Sequence, residues 1–208
     1  MLRNFLLLSC LLTGTLFGHS SESAGAPPAD LSPALAASLQ KDGIRVKDGN
    51  KIVMEFWFRA SMPPGPGSGQ GNVTLAEIPH GAFLGVVRYP EKGQDRRGQS
   101  VKPGVYTMRF SFFPENGDHQ GAAPQRDFLI LSPVGEDTNL SATPEFEPLM
   151  ELSRKASGTP HPLVLSIWKQ DPGSFKPGVA PDGESDQALQ TKLGETPIAV
   201  IVAGVFNH

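Results

Sequence analysis

Three histidines are the side chains best suited to metal chemistry in this 208-residue sequence. His80, His119 and His161 each lie within two residues of a glycine or proline, which predicts that they lie in turns. Asp118 and Asp127 are near His119 in the sequence and would add carboxylate ligands. Imidazole and carboxylate groups bind zinc or copper, so these five residues form a candidate metal site. The alternative is that the histidines are turn residues with local hydrogen bonds.

A second candidate site is a polar, glycine-rich loop. It would present Asp118, His119, Arg126 and Asp127 to a ligand or partner. The structural alternative is a turn that joins two strands, with Arg126 and Asp127 in a local ion pair.

The sequence contains no recognised catalytic or cofactor motif. It lacks a phosphate-binding loop, a dinucleotide fingerprint, a His-Glu-x-x-His helix and a Gly-x-Ser-x-Gly elbow. We therefore assign no catalytic residue, and no cofactor beyond the zinc or copper considered above. The formal net charge of −3 disfavours a partner with a phosphate backbone, so we expect no nucleic-acid binding.

The first 20 residues have the pattern of a secretory signal peptide. Arg3 precedes an apolar run from Phe5 to Phe17, and small residues flank a cleavage position after Ser20. The run is too short to span a membrane, so we expect a secreted or periplasmic protein with no transmembrane span. Cys10 is the sole cysteine, and a lipid anchor on it is the alternative to cleavage after Ser20.

Beyond the signal peptide, residues 21–30 are expected to be a flexible lead-in and residues 31–208 a single β domain. Side chains alternate between apolar and polar along residues 53–58 and 105–113, as in strands with one buried face. Predicted helices begin at caps Ser32 and Thr143, and Gly158 ends the second. Because strands follow one another without intervening helices, we predict an antiparallel β-sandwich of seven or eight strands with one or two short helices. The predicted strands are 43–47, 51–59, 73–78, 82–89, 105–113, 128–131, 163–168 and 198–206.

One strand carries a resemblance to known families. Residues 102–110, Lys-Pro-Gly-Val-Tyr-Thr-Met-Arg-Phe, resemble a strand of exported bacterial sandwich domains, including transthyretin-like and carboxypeptidase-regulatory-like modules. The stretch from Asn116 to Phe128 resembles an uncharacterised family of secreted bacterial proteins. These resemblances imply a periplasmic or extracellular β domain, and they imply no activity.

These observations favour a secreted, non-catalytic β-sandwich that binds an unknown protein or small ligand through its loops. The long polar loops 60–72, 91–100 and 114–125 are the expected binding surfaces. Two alternatives stay open. One is a periplasmic metal-binding protein that uses the loop histidines, and the other is a hydrolase with its site on the same loops.

Overall fold

The computed structural model describes residues 18–113 and 125–204, which form twelve strands and two helices. In chain order the elements are β1 (His19–Gly25), α1 (Pro33–Ser38), β2 (Gly43–Asp48), β3 (Lys51–Phe58), β4 (Phe83–Tyr89), β5 (Gly93–Gln94), β6 (Ser100–Val101), β7 (Gly104–Phe112), β8 (Asp127–Pro133), α2 (Phe146–Ser157), β9 (Leu163–Lys169), β10 (Gly178–Asp182), β11 (Asp186–Leu193) and β12 (Thr196–Ala203).

Ten of these strands form one antiparallel sheet in the order β1-β2-β3-β4-β7-β8-β9-β12-β11-β10. The sheet curls until its two edges nearly meet, and a Cβ added at Gly178 on β10 would lie 3.7 Å from Ser21 Oγ on β1. Register shifts in four of the strand pairs are bulges, which bend strands and help a sheet to curl. The mainly β, antiparallel class is confirmed, but the sandwich of seven or eight strands is wrong. The molecule is a nearly closed, barrel-like sheet.

The main core fills the inside of the barrel. Met54, Phe56 and Phe58 on β3 point inwards, as do Met108 and Phe110 on β7. The buried faces that the alternation predicts on these two strands are therefore confirmed. The alternation does not distinguish a sandwich from a barrel, because both bury one face of each strand.

The two helices cover parts of the outer face of the sheet. Leu35 of α1 packs with Trp57 and Phe83, whereas Leu149 of α2 packs with Ile130 and other outward residues of β8 and β9. Ser32 caps α1 by accepting a hydrogen bond from the Leu35 amide, as expected. Neither helix in the described ranges is long and apolar enough to cross a membrane.

Several boundaries differ from the sequence predictions. Residues 73–78 form turns rather than a strand, and their apolar side chains Leu75 and Ile78 enter the barrel. Helix α2 begins at Phe146 after Glu145, not after a Thr143 cap, although Gly158 ends it as predicted. The region between β9 and β12, in which we predicted no strand, contains the hairpin β10–β11.

The N-terminal segment also differs. Residues 19–25 form strand β1, which pairs with β2 and spans the end of the predicted signal peptide and the start of the predicted flexible lead-in. A cleavage after Ser20 would remove the first two residues of this strand. Residues 1–17 lie outside the described residues, so the signal peptide and the lipid anchor at Cys10 stay predictions.

Candidate ligand-binding site

A partly enclosed cavity of about 210 Å³ lies at one end of the barrel. Its apolar wall comes from strands β3, β9 and β12, and it includes Val53, Leu165 and Ile201. Its polar groups come from the end of β4, from the start of β1 and from residues 93–101, which we call the covering hairpin. A cavity that combines an apolar wall with a few polar groups is the usual form of a small-molecule site.

Asp95 holds the covering hairpin in place. Its Oδ1 accepts hydrogen bonds from the backbone amides of Arg97 at 2.9 Å and Gln99 at 2.8 Å. Its Oδ2 accepts from Gln99 Nε2 at 3.0 Å and from the Val164 amide on β9 at 3.1 Å. Burial raises the pKa of Asp95, and these donors oppose the rise. All four positions of the carboxylate are thus occupied, so Asp95 is a structural anchor.

Arg96 follows Asp95 in the covering hairpin and lines the cavity. Its amide donates to the Val164 carbonyl at 2.9 Å, and its Nη1 bonds Asp186 Oδ1 at 2.8 Å. The residue is only 7% exposed, yet its Nε finds no hydrogen-bond acceptor among the described residues. A buried donor without a partner costs about 1–3 kcal/mol, so such an atom needs an explanation.

Tyr89 contributes the second unpartnered group. The residue is 1% exposed, and its hydroxyl has no hydrogen-bond partner in the described part of the chain. The neighbouring Tyr106 packs edge-on against its ring, and the Tyr106 hydroxyl donates to the Lys102 carbonyl at 2.8 Å. Burial raises the pKa of Tyr89, and the charge of Asp95 adds to the rise. The Tyr89 hydroxyl is therefore a protonated donor.

Two glycines shape the cavity wall. A Cβ at Gly93 would lie 2.6 Å from the Tyr89 ring, so only glycine lets the covering hairpin pack over this tyrosine. A Cβ at Gly204 would lie 2.0 Å from Asp186 Oδ1, and the φ of +109° at this position also favours glycine. Both residues line the cavity next to its polar groups.

Four buried side-chain polar atoms lack a partner among the described residues, namely Tyr89 Oη, Arg96 Nε, Gln125 Oε1 and Ser132 Oγ. Two of the four belong to residues that line this cavity, Tyr89 and Arg96. These two unpartnered donors are the reason why we treat the cavity as the candidate functional site. No protein-family model, curated protein or solved structure matches the chain.

The histidines predicted from the sequence lie elsewhere. His80 contacts the Pro144 carbonyl through Nδ1 at 3.2 Å and Ser111 Oγ through Nε2 at 3.1 Å, just before α2 begins. His161 is exposed in the loop that follows the other end of α2. Because the 12 residues of this helix span about 18 Å, the structure does not bring His80 and His161 together. The described residues contain no cluster of three metal-ligating side chains, while Asp118 and His119 lie outside them.

Asp127 and Arg126 have structural contacts. Asp127 accepts hydrogen bonds from the backbone amides of Thr74 and Leu75, each at 2.8 Å, and thereby fixes the turns that enter the barrel. Arg126 donates to the carbonyls of Phe113 and Gly71. The two side chains therefore organise the backbone at the opposite end of the barrel from the cavity.

Arg109 is the other deeply buried arginine, and it is fully satisfied. Its five N–H groups reach both oxygens of Asp137 and the carbonyls of Gly81, Asn139 and Ala142, at 2.6–2.8 Å. This number equals the complete donor inventory of a guanidinium group. Arg109 therefore holds the loops that contain these carbonyls against β7, and it has no N–H group left to donate to a ligand.

One partial signal for the cavity is visible in the sequence. Loop 91–100 is one of the three loops expected to bind, and Asp95 and Arg96 belong to it. Tyr89, Gly93 and Gly204 have no distinguishing pattern around them, because their roles depend on contacts between distant segments.

Proposed function

We propose that the protein is an exported, non-catalytic binding protein that holds a small molecule in the cavity at the covering hairpin. The observation that carries this proposal is a pair of buried donors, Tyr89 Oη and Arg96 Nε, which belong to residues that line one cavity and have no partner among the described residues. The N-terminal pattern of residues 1–20 supports export.

The volume sets the size of the ligand. An apolar cavity of about 150 Å³ binds benzene, so 210 Å³ suits a molecule slightly larger than a single aromatic ring. The apolar wall at Val53, Leu165 and Ile201 would cover the hydrocarbon part of such a molecule. Asp95 fixes the covering hairpin before any ligand arrives, which lowers the entropy cost of binding.

The proposal is tested by titrating neutral and anionic fragments of this size into labelled protein. We expect chemical-shift changes at the amides of Gly93, Arg96 and Gly204, followed by nuclear magnetic resonance. Tyr89→Phe removes one hydrogen bond and should weaken the best fragment about five- to tenfold.

Tyr106→Phe is the matched control, because it removes a hydroxyl from the adjacent ring whose partner is the Lys102 carbonyl. It should leave fragment affinity unchanged. Fragments that shift amides elsewhere, or that bind Tyr89→Phe as tightly as the unmodified protein, would contradict the proposal.

A further inference from the structure

We propose that the ligand of this cavity is an uncharged molecule whose carbonyl-type oxygen accepts hydrogen bonds from Tyr89 and Arg96. This inference rests on the proposed function. It concerns the chemical class of the ligand, which the fold alone does not specify.

Among the residues that line the cavity, the two buried polar atoms without a partner in the described part of the chain are both donors. Arg96 Nε can only donate, and the Tyr89 hydroxyl is buried and protonated. The Asp95 carboxylate also lines the cavity, but its oxygens already accept from three backbone amides and one side-chain amide. The ligand must therefore bring an acceptor. A carbonyl oxygen suits this requirement, because its two lone pairs can serve two donors.

The charges around the donors disfavour an anion. Arg96 is paired with Asp186 at 2.8 Å, so its positive charge is already compensated. Asp95 adds a second carboxylate next to Arg96, and Asp182 lies opposite Asp186 in the register of β10 and β11. A carboxylate ligand beside Arg96 would therefore be repelled by these carboxylates, whereas the attraction of Arg96 is already offset by Asp186.

A cation is disfavoured for a different reason. An ammonium group provides donors and no acceptor, so it would leave Arg96 Nε unpaired. It would also lie close to the Arg96 guanidinium, which is 7% exposed. A neutral acceptor is the remaining class that satisfies both buried donors without adding charge.

Three probes of similar shape separate these classes, namely benzamide, benzoate and benzylammonium. Each is titrated into labelled protein at about pH 8, above the range in which imidazoles titrate. Shifts of the Gly93, Arg96 and Gly204 amides report occupancy. We expect benzamide to bind at least about tenfold more tightly than benzoate or benzylammonium.

Asp186→Asn sharpens the test, because it removes one negative charge and leaves Arg96 without its ion pair. We expect benzoate to bind this variant about tenfold more tightly, with benzamide affinity changed less than about twofold. Asp171→Asn makes the same change in net charge on the exposed connection after β9, at the opposite end of the barrel. It should not alter either affinity. A dispersed amide spectrum verifies that each variant is folded.

The outcomes distinguish the two proposals. If benzoate binds the unmodified protein as tightly as benzamide, the ligand class is wrong although the binding function stands. If benzylammonium binds best, the requirement for an acceptor is wrong. If none of the three probes, and none of the wider fragment set, shifts the cavity amides, both proposals are overturned.

Discussion

The two ends of the barrel are closed by the same kind of anchor but are filled differently. At one end Asp127 binds the amides of Thr74 and Leu75, and at the other Asp95 binds the amide of Val164 and those of its own hairpin. Both carboxylates are almost fully buried, and burial raises the pKa of each. The anchors are therefore equivalent in chemistry.

The difference lies in the side chains that each anchored segment inserts. Beside Asp127, Leu75 and Ile78 enter the barrel and are completely buried. The covering hairpin instead inserts one apolar side chain, Val101, together with Gly93, which has no side chain, and Arg96, whose Nε finds no acceptor among the described residues. The end that Leu75 and Ile78 fill, which we call the plugged end, therefore serves stability. The covering hairpin instead leaves a space beside two donors that lack partners among the described residues.

The largest effect is expected at the plugged end. Asp127→Ala would leave the Thr74 and Leu75 amides without acceptors in a buried region and should lower the free energy of unfolding by about 3 kcal/mol. Urea unfolding followed by tryptophan fluorescence measures this change. Asp30→Ala, at an exposed position, should change stability by less than about 0.5 kcal/mol.

If Asp127→Ala is no less stable than Asp30→Ala, the turns at residues 73–78 do not depend on this carboxylate. In that case Asp127 would again be available for the ligand or metal role that the sequence suggests. The experiment therefore decides whether the plugged end is purely structural.

Much of the barrel interior was predictable, because alternation depends on residues that are neighbours in the chain. The inward faces of β3 and β7 follow from this pattern. Strand β1, with the sequence His-Ser-Ser-Glu-Ser-Ala-Gly, has no apolar alternation and is held by its pairing with β2, so the sequence gives no local signal for it. The closure of the sheet is likewise a property of bulges and edge contacts that no single segment encodes.

The candidate site was less predictable than the fold. We chose loop histidines and aspartates as candidates because imidazole and carboxylate groups can bind metals and ligands. In the structure, however, Asp127 binds backbone amides, and His80 contacts the Pro144 carbonyl and Ser111. What marks Tyr89 and Arg96 is that one buried polar atom of each, Oη and Nε, lacks a partner among the described residues after folding. Such a property depends on every surrounding segment and is not encoded in the spacing of residue types.

The second prediction compares two adjacent tyrosines. Tyr89→Phe removes a buried hydroxyl without a partner and should leave the free energy of unfolding unchanged or raise it by up to about 1 kcal/mol. Tyr106→Phe removes a hydroxyl bonded to the Lys102 carbonyl and should lower it by about 1 kcal/mol. Urea unfolding of both variants without added ligand provides the measurement. Equal losses in the two variants would show that the Tyr89 hydroxyl is satisfied in solution.

The smallest expected effect concerns His80, near the plugged end. Desolvation lowers the pKa of His80 below its usual value of 6.5, although a hydrogen bond to the Pro144 carbonyl opposes the shift. The unfolded chain therefore binds a proton at a higher pH than the folded protein does. By linkage, the His80 contribution to stability is present above about pH 6.5 and is lost as the pH falls towards the lowered pKa.

Melting temperatures measured between about pH 8 and pH 5 test this linkage. His80→Gln should flatten the pH dependence below about pH 6.5, whereas His161→Gln, at an exposed position, should follow the unmodified protein. The difference between the curves isolates His80, because Asp95 and Asp127 contribute equally to all three proteins. If His80→Gln keeps the full pH dependence, the assignment of this linkage to His80 is wrong.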